Sequence, residues 1–251
     1  MLLSQPRLIL ALDASSSRCS AVIWSEEPGA AASPGGQMMA GRVVASMERN
    51  GQTGDAARLP GMVAEMLADQ KLVAGDLAAI ATSVGPGSFT GLRASLAFGE
   101  GLASGTGIPV IGVTVAEALA VAARAEGAEA GDLRLWCALD SRNGRLFLHR
   151  GGAPEAWEVT NLSDPPLPRS PVGLTGDAAG TLGAVLQDRG FTAVITSARV
   201  CHAREVAIAG IARMRDRLPP LAATPLYIDP PRALPPRGGL RPPPRQPEWA
   251  L

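Results

Sequence analysis

The sequence has few of the residues on which disulfide-rich, metal-binding and membrane proteins depend. It contains three cysteines, two histidines and one tyrosine, and Cys19, Cys137 and Cys201 lie far apart. No C-x-x-C or H-x-x-x-H pair is present, so we expect no disulfide framework and no structural zinc site. The chain also has no apolar run of about 18 residues, and its N-terminus does not resemble a signal peptide. We therefore predict a cytoplasmic protein that does not span a membrane.

An excess of charge of one sign is also absent, because 23 Lys and Arg residues balance 23 Asp and Glu residues. This balance removes the simplest case for a strongly basic nucleic-acid-binding protein. Hydrophobic residues, in contrast, make up 46% of the chain, which is enough for a sizeable core in one large or two small domains. Global disorder is therefore not expected.

Apolar runs and turn residues predict a mixed α/β chain. The predicted strands are Leu8–Leu12, Cys19–Trp24, Arg42–Met47, Ala79–Val84, Val110–Val113, Leu133–Leu139, Arg145–His149, Val172–Leu174 and Ala193–Ile195. The predicted helices are about Arg58–Gln70, Phe89–Ser104, Val115–Ala125, Asp177–Arg189 and Ala203–Leu218. Thr114 and Glu117 have the spacing of a capping box, which marks the start of the third helix. Gly, Pro and Ala are frequent between Ser25 and Gly41, so a loop is predicted there.

The second half of the chain repeats the order of the first. The first predicted strand of each half ends in Ala-Leu-Asp, at Ala11–Asp13 and at Ala138–Asp140. Each half reads strand, strand, strand, helix, strand, helix, which is expected of the duplicated α/β architecture of actin, sugar kinases and Hsp70. We predict an N-terminal subdomain at 1–126, a C-terminal subdomain at 127–230 and a Pro/Arg-rich tail at 231–251.

Proline dominates the end of the chain. From Pro219 onward, eleven of 33 residues are proline, so this part is predicted to be largely extended or disordered. Truncation after Arg232 should then leave folding intact, because the removed residues include too few apolar side chains to offset the entropy lost on ordering.

Asp13 and Asp140 are candidate nucleotide-facing residues, together with Ser15. In the actin-like architecture, an Asp that ends the first strand of each half would face the phosphates or the metal of a nucleotide. The alternative is that Asp closes a buried strand by accepting hydrogen bonds from the N–H groups of the turn. Ala14 favours this alternative, since nucleotide-binding versions often have glycine there for close approach of phosphate.

The segment Gly85–Arg93, here called the motif segment, joins a predicted strand to a predicted helix. Its glycines allow a sharp turn, and Ser88 or Thr90 can cap the helix, whose free N–H groups could hold an anion. Two known phosphate-binding patterns do not fit. No G-K-[ST] follows, as a P-loop requires, and Thr90 occupies the last glycine position of G-x-G-x-x-G.

Two helices carry more apolar residues than one sheet face is expected to cover. The Phe89–Ser104 helix is apolar or small around most of its girth, with Arg93 and Glu100 as its only charges. We predict that it forms a partner surface with the Arg58–Gln70 helix, in which methionines suit adaptable contacts. The side chains predicted to line this surface are Leu59, Met62, Val63, Met66, Leu92 and Leu96. The alternative is that the two helices only pack on each other.

The motif segment, Gly85-Pro86-Gly87-Ser88-Phe89-Thr90-Gly91-Leu92-Arg93, closely resembles the TsaB (YeaZ) family of the bacterial tRNA threonylcarbamoyladenosine pathway. This string is long and specific. The resemblance covers roughly residues 8–230 and extends to further stretches, namely Leu10–Ser15, Asp76–Ala81, Pro109–Thr114, Leu139–Arg142 and Pro225–Ile228. Differences from the common family pattern are Asp55, Glu100 and Asp229.

The resemblance implies an actin-like fold and a non-catalytic subunit that pairs with the related catalytic subunit TsaD. TsaD transfers a threonylcarbamoyl group from its adenylate to N6 of the adenosine next to the anticodon, helped by the ATPase TsaE. Also implied are a homodimer in the absence of TsaD, contact with tRNA through the complex, no tightly bound cofactor, and ATP or ADP at the interface with TsaD. Because TsaD is expected to carry an H-x-x-x-H metal pair, we expect neither transferase activity nor a bound transition metal from the isolated chain.

Two classes of function remain open at this point. A binding module would use its apolar helices to hold TsaD in the productive conformation. A stand-alone actin-like nucleotide-binding protein with weak ATPase activity would instead use Asp13, Asp140 and the motif segment. The missing phosphate-loop pattern favours the binding module, and an ATP turnover assay on the isolated chain distinguishes the two.

Overall fold

The computed structural model describes residues 7–26, 41–50, 55–127, 133–141 and 144–229. The first half contains β1 (Arg7–Asp13), β2 (Arg18–Glu26), β3 (Gly41–Asn50), α1 (Leu59–Asp69), β4 (Leu77–Gly85), α2 (Phe89–Thr106), β5 (Val110–Thr114) and α3 (Val115–Ala125). The second half contains β6 (Arg134–Asp140), β7 (Arg145–His149), β8 (Trp157–Asn161), β9 (Val172–Thr175), α4 (Ala179–Asp188), β10 (Ala193–Ile195) and α5 (Ala203–Met214).

The two halves build sheets with the same strand order. The first sheet runs β3-β2-β1-β4-β5 and the second runs β8-β7-β6-β9-β10. In each sheet the first three strands along the chain pair antiparallel, and the next two continue the sheet in parallel. This common order confirms the duplicated, actin-like α/β fold that the sequence predicted.

The assignment of strands in the second half needs one correction. Trp157–Asn161 is an additional strand, β8, which pairs antiparallel with β7. The predicted strand at Val172 is therefore the fourth of its half, parallel to β6, and not the third. The sequence pattern missed β8 because it is short and lies at a sheet edge, where its polar residues are partly exposed. No helix corresponding to α1 occurs in residues 162–171.

Alternating residues of the first sheet face two different helix layers. Along β1, Leu10 and Leu12 pack with α1 and α2, whereas Ile9 and Ala11 pack with α5. The layer formed by α3 and α5 lies between the sheets, because α5 covers the first sheet and α3 contacts β6 and β9. α4 covers the opposite face of the second sheet. The last helix of the second half thus completes the core of the first.

Residues 219–229, here called the strap, have no regular secondary structure but pack on the first sheet. Leu226 donates a backbone hydrogen bond to the Val84 carbonyl at 2.8 Å. The sequence predicted that the chain from Pro219 onward is largely extended or disordered. This prediction is corrected for the strap, which has no regular secondary structure but is packed against the first sheet. The rest of the predicted tail, at 230–251, lies outside the described residues, as does most of the predicted Ser25–Gly41 loop. None of the helices formed by the described residues has the length and apolarity that crossing a membrane requires.

Candidate functional site

The motif segment forms the turn from β4 into α2. Gly85 has a φ of +110°, a conformation that favours glycine, and Ser88 is the N-cap of α2. The Ser88 hydroxyl accepts a hydrogen bond from the Gly91 N–H at 3.2 Å, which confirms the predicted cap. The Ser88 N–H donates to the carbonyl oxygen of Ser15 at 2.7 Å. The segment is thereby tied to the turn that follows β1.

At two positions of the motif segment only glycine fits, because the backbone there lies against another turn of the same chain. A Cβ on Gly87 would overlap the carbonyl oxygen of Ser15, and a Cβ on Gly91 would overlap that of Ala14. These glycines allow two turns of the backbone to touch, at the place where a phosphate-binding loop would approach its ligand. The start of α2 is therefore occupied by the chain's own Ala14–Ser15 turn.

Asp13 is fully buried at the end of β1. Its Oδ1 accepts a hydrogen bond from the Ser15 N–H at 3.2 Å, as expected of an Asp that closes a strand. Burial raises the pKa of Asp13 above its usual value, although hydrogen bonding by Ser83 and Ser15 opposes the shift. Ser15 is buried as well. The nucleotide-facing role predicted for these two residues has no support from their exposure, because neither side chain opens to solvent.

Asp140, in contrast, is exposed at the end of β6. Its N–H donates to Oδ1 of Asp177 at 2.9 Å, and Asp177 lies two residues after the end of β9. Burial and the charge of Asp140 raise the pKa of Asp177, while the hydrogen bond from Asp140 opposes the shift. The sequence did not indicate Asp177, since its only local signal is the preceding glycine. Gly176 repeats the role of Gly87, because a Cβ there would overlap the Ala138 carbonyl oxygen.

The six side chains predicted to line a partner surface are all buried inside the chain. They are at most 5% exposed and comprise Leu59, Met62, Val63, Met66, Leu92 and Leu96. The four from α1 belong to the core cluster that α1 forms with the first sheet. The prediction that they supply exposed apolar area is therefore wrong, since the sheet and the neighbouring helix cover them. A charge at Met62 or Leu96 is now expected to prevent folding.

The outward faces of α1 and α2 are formed by small and charged residues instead. On α1 the exposed small residues are Gly61, Ala64 and Ala68, and on α2 they include Ala97, Gly101 and Ser104. A Cβ on Gly61 or Gly101 would find nothing within 4 Å, so both glycines face open space. The sequence contains a signal for this feature, because small residues at helical spacing in α1 and α2 predict a separate helix face.

The first turn of α2 carries the most exposed aromatic side chain of that helix, Phe89, which is 47% exposed. The Arg93 guanidinium lies 3.8 Å from the centre of the Phe89 ring. Arg93 Nε donates to the hydroxyl of Tyr227 at 2.7 Å, and the Tyr227 and Phe89 rings are 5.6 Å apart. The sequence placed Phe89 and Arg93 in the motif segment but did not connect them with Tyr227.

The two histidines lie in separate places. His149 on β7 contacts the Ala153 carbonyl at 3.0 Å, and His202 is the residue before α5, where its Nδ1 lies 3.1 Å from Glu48. Among the described residues, no group of three or more His, Cys, Asp or Glu side chains is arranged to hold a metal ion.

The three departures from the common family pattern have different surroundings. Asp229 forms an ion pair with Arg145 of β7 at 2.6 Å. Glu100 is exposed on α2. Asp55 begins the short 3-10 turn before α1, and its side chain lies outside the described ones.

Comparison with known proteins gives consistent matches. Residues 53–161 match the family model described as TsaD, a tRNA N6-adenosine threonylcarbamoyltransferase. The protein TsaB of Escherichia coli K12, named for tRNA threonylcarbamoyladenosine biosynthesis, is 32% identical over 55% of this chain and 52% of its own length. TsaB of Buchnera aphidicola is 28% identical over 45% of this chain and 47% of its own length. The chain thus spans about half the length of the curated relatives it matches.

A solved structure shows the same fold over almost the whole described chain. YeaZ from Pseudomonas aeruginosa superposes with a TM-score of 0.64 over 88% of this chain and 99% of its own, at 24% identity. At this identity the likeness concerns the fold alone. This chain is thus similar in sequence to proteins named TsaB and shares its fold with a protein named YeaZ.

Proposed function

We propose that this chain is the non-catalytic subunit required for threonylcarbamoyl transfer to N6 of the adenosine next to the tRNA anticodon. In this role it is the dimerisation partner and activator of TsaD. Similarity to the two TsaB proteins, which are named for tRNA threonylcarbamoyladenosine biosynthesis, supports a part in that pathway. The observation that carries the finer proposal is the outward surface of α1 and α2, here called the partner face.

The partner face is suited to contact with helices of another chain. Its central positions are small, with Gly61, Ala64 and Ala68 on α1 and Ala97 and Gly101 on α2. Small side chains let a second helix approach at the short end of the usual interaxial range of about 8–10 Å. Both helices lie on the same face of the first sheet, so their outward sides form one continuous surface.

Three features support a binding role over catalysis by this chain alone. Gly87 and Gly91 contact the backbone of the chain's own turn, so the start of α2 is closed to a phosphate group. Asp13 is buried. His149 and His202 lie in different elements with partners of their own. The match to the TsaD family model is compatible with this proposal, because the catalytic subunit and TsaB are related proteins with the same fold.

The proposal includes the partners expected from the resemblance. TsaE acts through the complex, tRNA is bound through the complex, and ATP or ADP occupies the interface with TsaD. In the absence of TsaD, the partner face is available for a homodimer. The complex works in the cytoplasm.

The test is reconstitution of the modification on unmodified tRNA with purified TsaD and TsaE. Omitting this chain should abolish formation of threonylcarbamoyladenosine. Ala64→Arg and Ala97→Arg place a charge in the centre of the partner face, and burial of an unpaired charge costs several kcal/mol, so affinity for TsaD should fall at least about 100-fold. The matched control is Ala184→Arg, which changes an exposed alanine of α4 in the second half.

The three variants should all remain folded by circular dichroism, because each replaced side chain is exposed. Undiminished binding and activity of Ala64→Arg and Ala97→Arg would show that TsaD binds elsewhere. Turnover of ATP or transfer to tRNA by the isolated chain would contradict the non-catalytic role.

A further inference from the structure

We propose that the strap positions the first turn of α2, with Tyr227 as the positioning residue, and thereby raises the affinity of the partner face. The effect on affinity rests on the proposed function, whereas the effect on α2 does not. The strap, residues 219–229, follows α5 and contacts both halves of the molecule.

The start of the strap is fixed to the first sheet and to the helix layer beneath it. Arg213 of α5 donates from Nε to the Pro219 carbonyl at 2.6 Å. The strap then passes so close to β5 that a Cβ on Gly112 would overlap the carbonyl oxygen of Ala222. A glycine on β5 is therefore what allows the strap to lie against the sheet.

The middle of the strap reaches the motif segment. The Leu226 N–H donates to the Val84 carbonyl at 2.8 Å, directly before the chain turns into the motif segment at Gly85. A Cβ on Gly85 would lie 3.4 Å from the Leu226 carbonyl oxygen and 2.9 Å from the Leu92 side chain. The backbone of the strap thus lies beside the turn that starts α2.

Tyr227 connects this backbone contact to the side chains of the first turn of α2. Its hydroxyl accepts a hydrogen bond from Arg93, whose guanidinium lies over the Phe89 ring. Tyr227 and Phe89 are 45% and 47% exposed, so burial alone does not hold either ring. Each of the three side chains is instead held by the other two, through a charge-assisted hydrogen bond and cation–aromatic contact.

The far end of the strap is anchored in the second half. Asp229 forms its ion pair with Arg145 of β7 at 2.6 Å. The side chain of Arg145 is 25% exposed and that of Asp229 is 31% exposed. The strap is therefore held on both sides of Tyr227. This fixes the position from which Tyr227 reaches α2.

The consequence for binding is preorganisation. Phe89 and Arg93 lie at the start of α2, at one end of the partner face. Side chains that are ordered before binding lose less conformational entropy when a partner covers them. Removing Tyr227 should therefore weaken binding without removing any residue of α1 or α2.

The experiment uses the full chain with Tyr227→Ala, Tyr227→Phe and the control Leu167→Ala, which truncates a side chain that is 47% exposed in the second half. Hydrogen exchange is followed at the Gly91 and Leu92 amides, which are bonded to Ser88. Affinity for purified TsaD is measured in parallel by calorimetry.

We expect Tyr227→Ala to speed exchange at both amides about fivefold and to weaken TsaD binding by a similar factor, which corresponds to about 1 kcal/mol. Tyr227→Phe keeps the ring but loses the hydroxyl, so its effects should be smaller and of the same sign. Leu167→Ala should change neither quantity.

Unchanged hydrogen exchange at the Gly91 and Leu92 amides in Tyr227→Ala would overturn the positioning role, whatever the measured affinity for TsaD. Faster exchange with unchanged TsaD affinity would overturn the link between the strap and the partner face. If the unaltered chain does not bind TsaD, the proposed function fails, and the exchange data still decide whether the strap positions α2.

Discussion

At the scale of single residues, the glycines around α2 fall into two groups that the sequence does not separate. Gly87 and Gly91 touch the backbone of the Ala14–Ser15 turn, whereas Gly101 faces open space in the middle of the helix. The first group is needed because no side chain fits, while Gly101 has room for one. The same residue type therefore has opposite effects on stability at positions that lie in one short stretch of chain.

Alanine substitutions should reveal this difference. Gly87→Ala forces the loop away from Ser15 and should lower the free energy of unfolding by about 1–3 kcal/mol, as overpacking does. Gly101→Ala should raise it by about 0.5–1 kcal/mol, because alanine has the higher helix propensity. Urea denaturation of both variants measures the two effects. Equal stability of Gly87→Ala and the unaltered chain would mean that the contact with Ser15 is not a constraint.

The pKa of Asp13 predicts a pH dependence of stability. Burial raises this pKa above the usual 3.8, so the folded chain keeps a proton that the unfolded chain has already lost. In that range the unfolded state binds fewer protons, and stability falls as the pH rises from 3.8 towards the folded-state pKa. Asp13→Asn cannot ionise, so its stability should fall less than that of the unaltered chain as the pH rises above 3.8.

Urea denaturation at several pH values in this range compares the two chains. Asp177, whose pKa is also raised mainly by burial, is present in both chains. The charge of Asp13 contributes to the raised pKa of Glu205, so the difference between the two profiles reports the ionisation of Asp13 together with its coupling to Glu205. Parallel pH profiles for the two chains would mean that Asp13 does not contribute to the pH dependence.

At the scale of elements, α3 illustrates how one local motif acquires a second role. The predicted capping box is confirmed: the Glu117 N–H donates to Thr114 Oγ1 at 3.2 Å, and Glu117 accepts from the Thr114 N–H at 2.8 Å. The Glu117 carboxylate also pairs with Arg213 of α5, which is only 7% exposed. Arg213 therefore joins α5 to the start of α3.

Replacing Glu117 should therefore lower the free energy of unfolding by more than the loss of a helix cap alone would. Glu117→Gln keeps an acceptor for the Thr114 N–H but leaves the buried Arg213 charge without its counter-ion. Breaking a buried ion pair in this way lowers stability by about 3–5 kcal/mol, against about 1 kcal/mol for a cap. Thermal and urea denaturation measure the loss, with Glu100→Gln on the exposed side of α2 as the control. A loss of only about 1 kcal/mol would show that Arg213 finds another partner or water.

At the scale of the whole molecule, the two halves are joined in three ways. The layer of α3 and α5 lies between the sheets, and α5 completes the core of the half to which it does not belong by sequence. The Glu117–Arg213 pair connects these two helices. The strap crosses from the first sheet to β7, where Asp229 meets Arg145. The repeat in the sequence therefore corresponds to a repeated strand order, and not to two separable units.

Exchanging the charges of the Arg145–Asp229 pair tests the last of these connections. Arg145→Asp and Asp229→Arg each place two like charges together and should lower stability. The double variant restores an ion pair with opposite orientation and should recover part of the loss. Because both side chains are partly exposed, the coupling free energy from the double-mutant cycle should be about 0.5–1 kcal/mol. A coupling of zero would show that the Arg145–Asp229 pair does not contribute to stability in solution.

The sequence by itself determined the strands and helices of the first half, the duplicated order, the capping box and the resemblance to the TsaB (YeaZ) family. These features depend on local patterns: runs of apolar residues, turn residues and a motif segment of nine residues. The edge strand β8 was not predicted, because a short, half-exposed strand has almost no run of apolar residues.

Only the tertiary structure decided which surfaces are covered. Helical periodicity identified Met62 and Leu96 as apolar, but whether an apolar face meets a partner or the chain's own sheet depends on how distant segments pack. The structure buries both side chains, gives Gly87 a backbone neighbour and brings Tyr227 to Arg93 across 134 residues of sequence. Contacts between residues so far apart follow from the order of strands in the sheets and the crossing of α5, which no local pattern encodes.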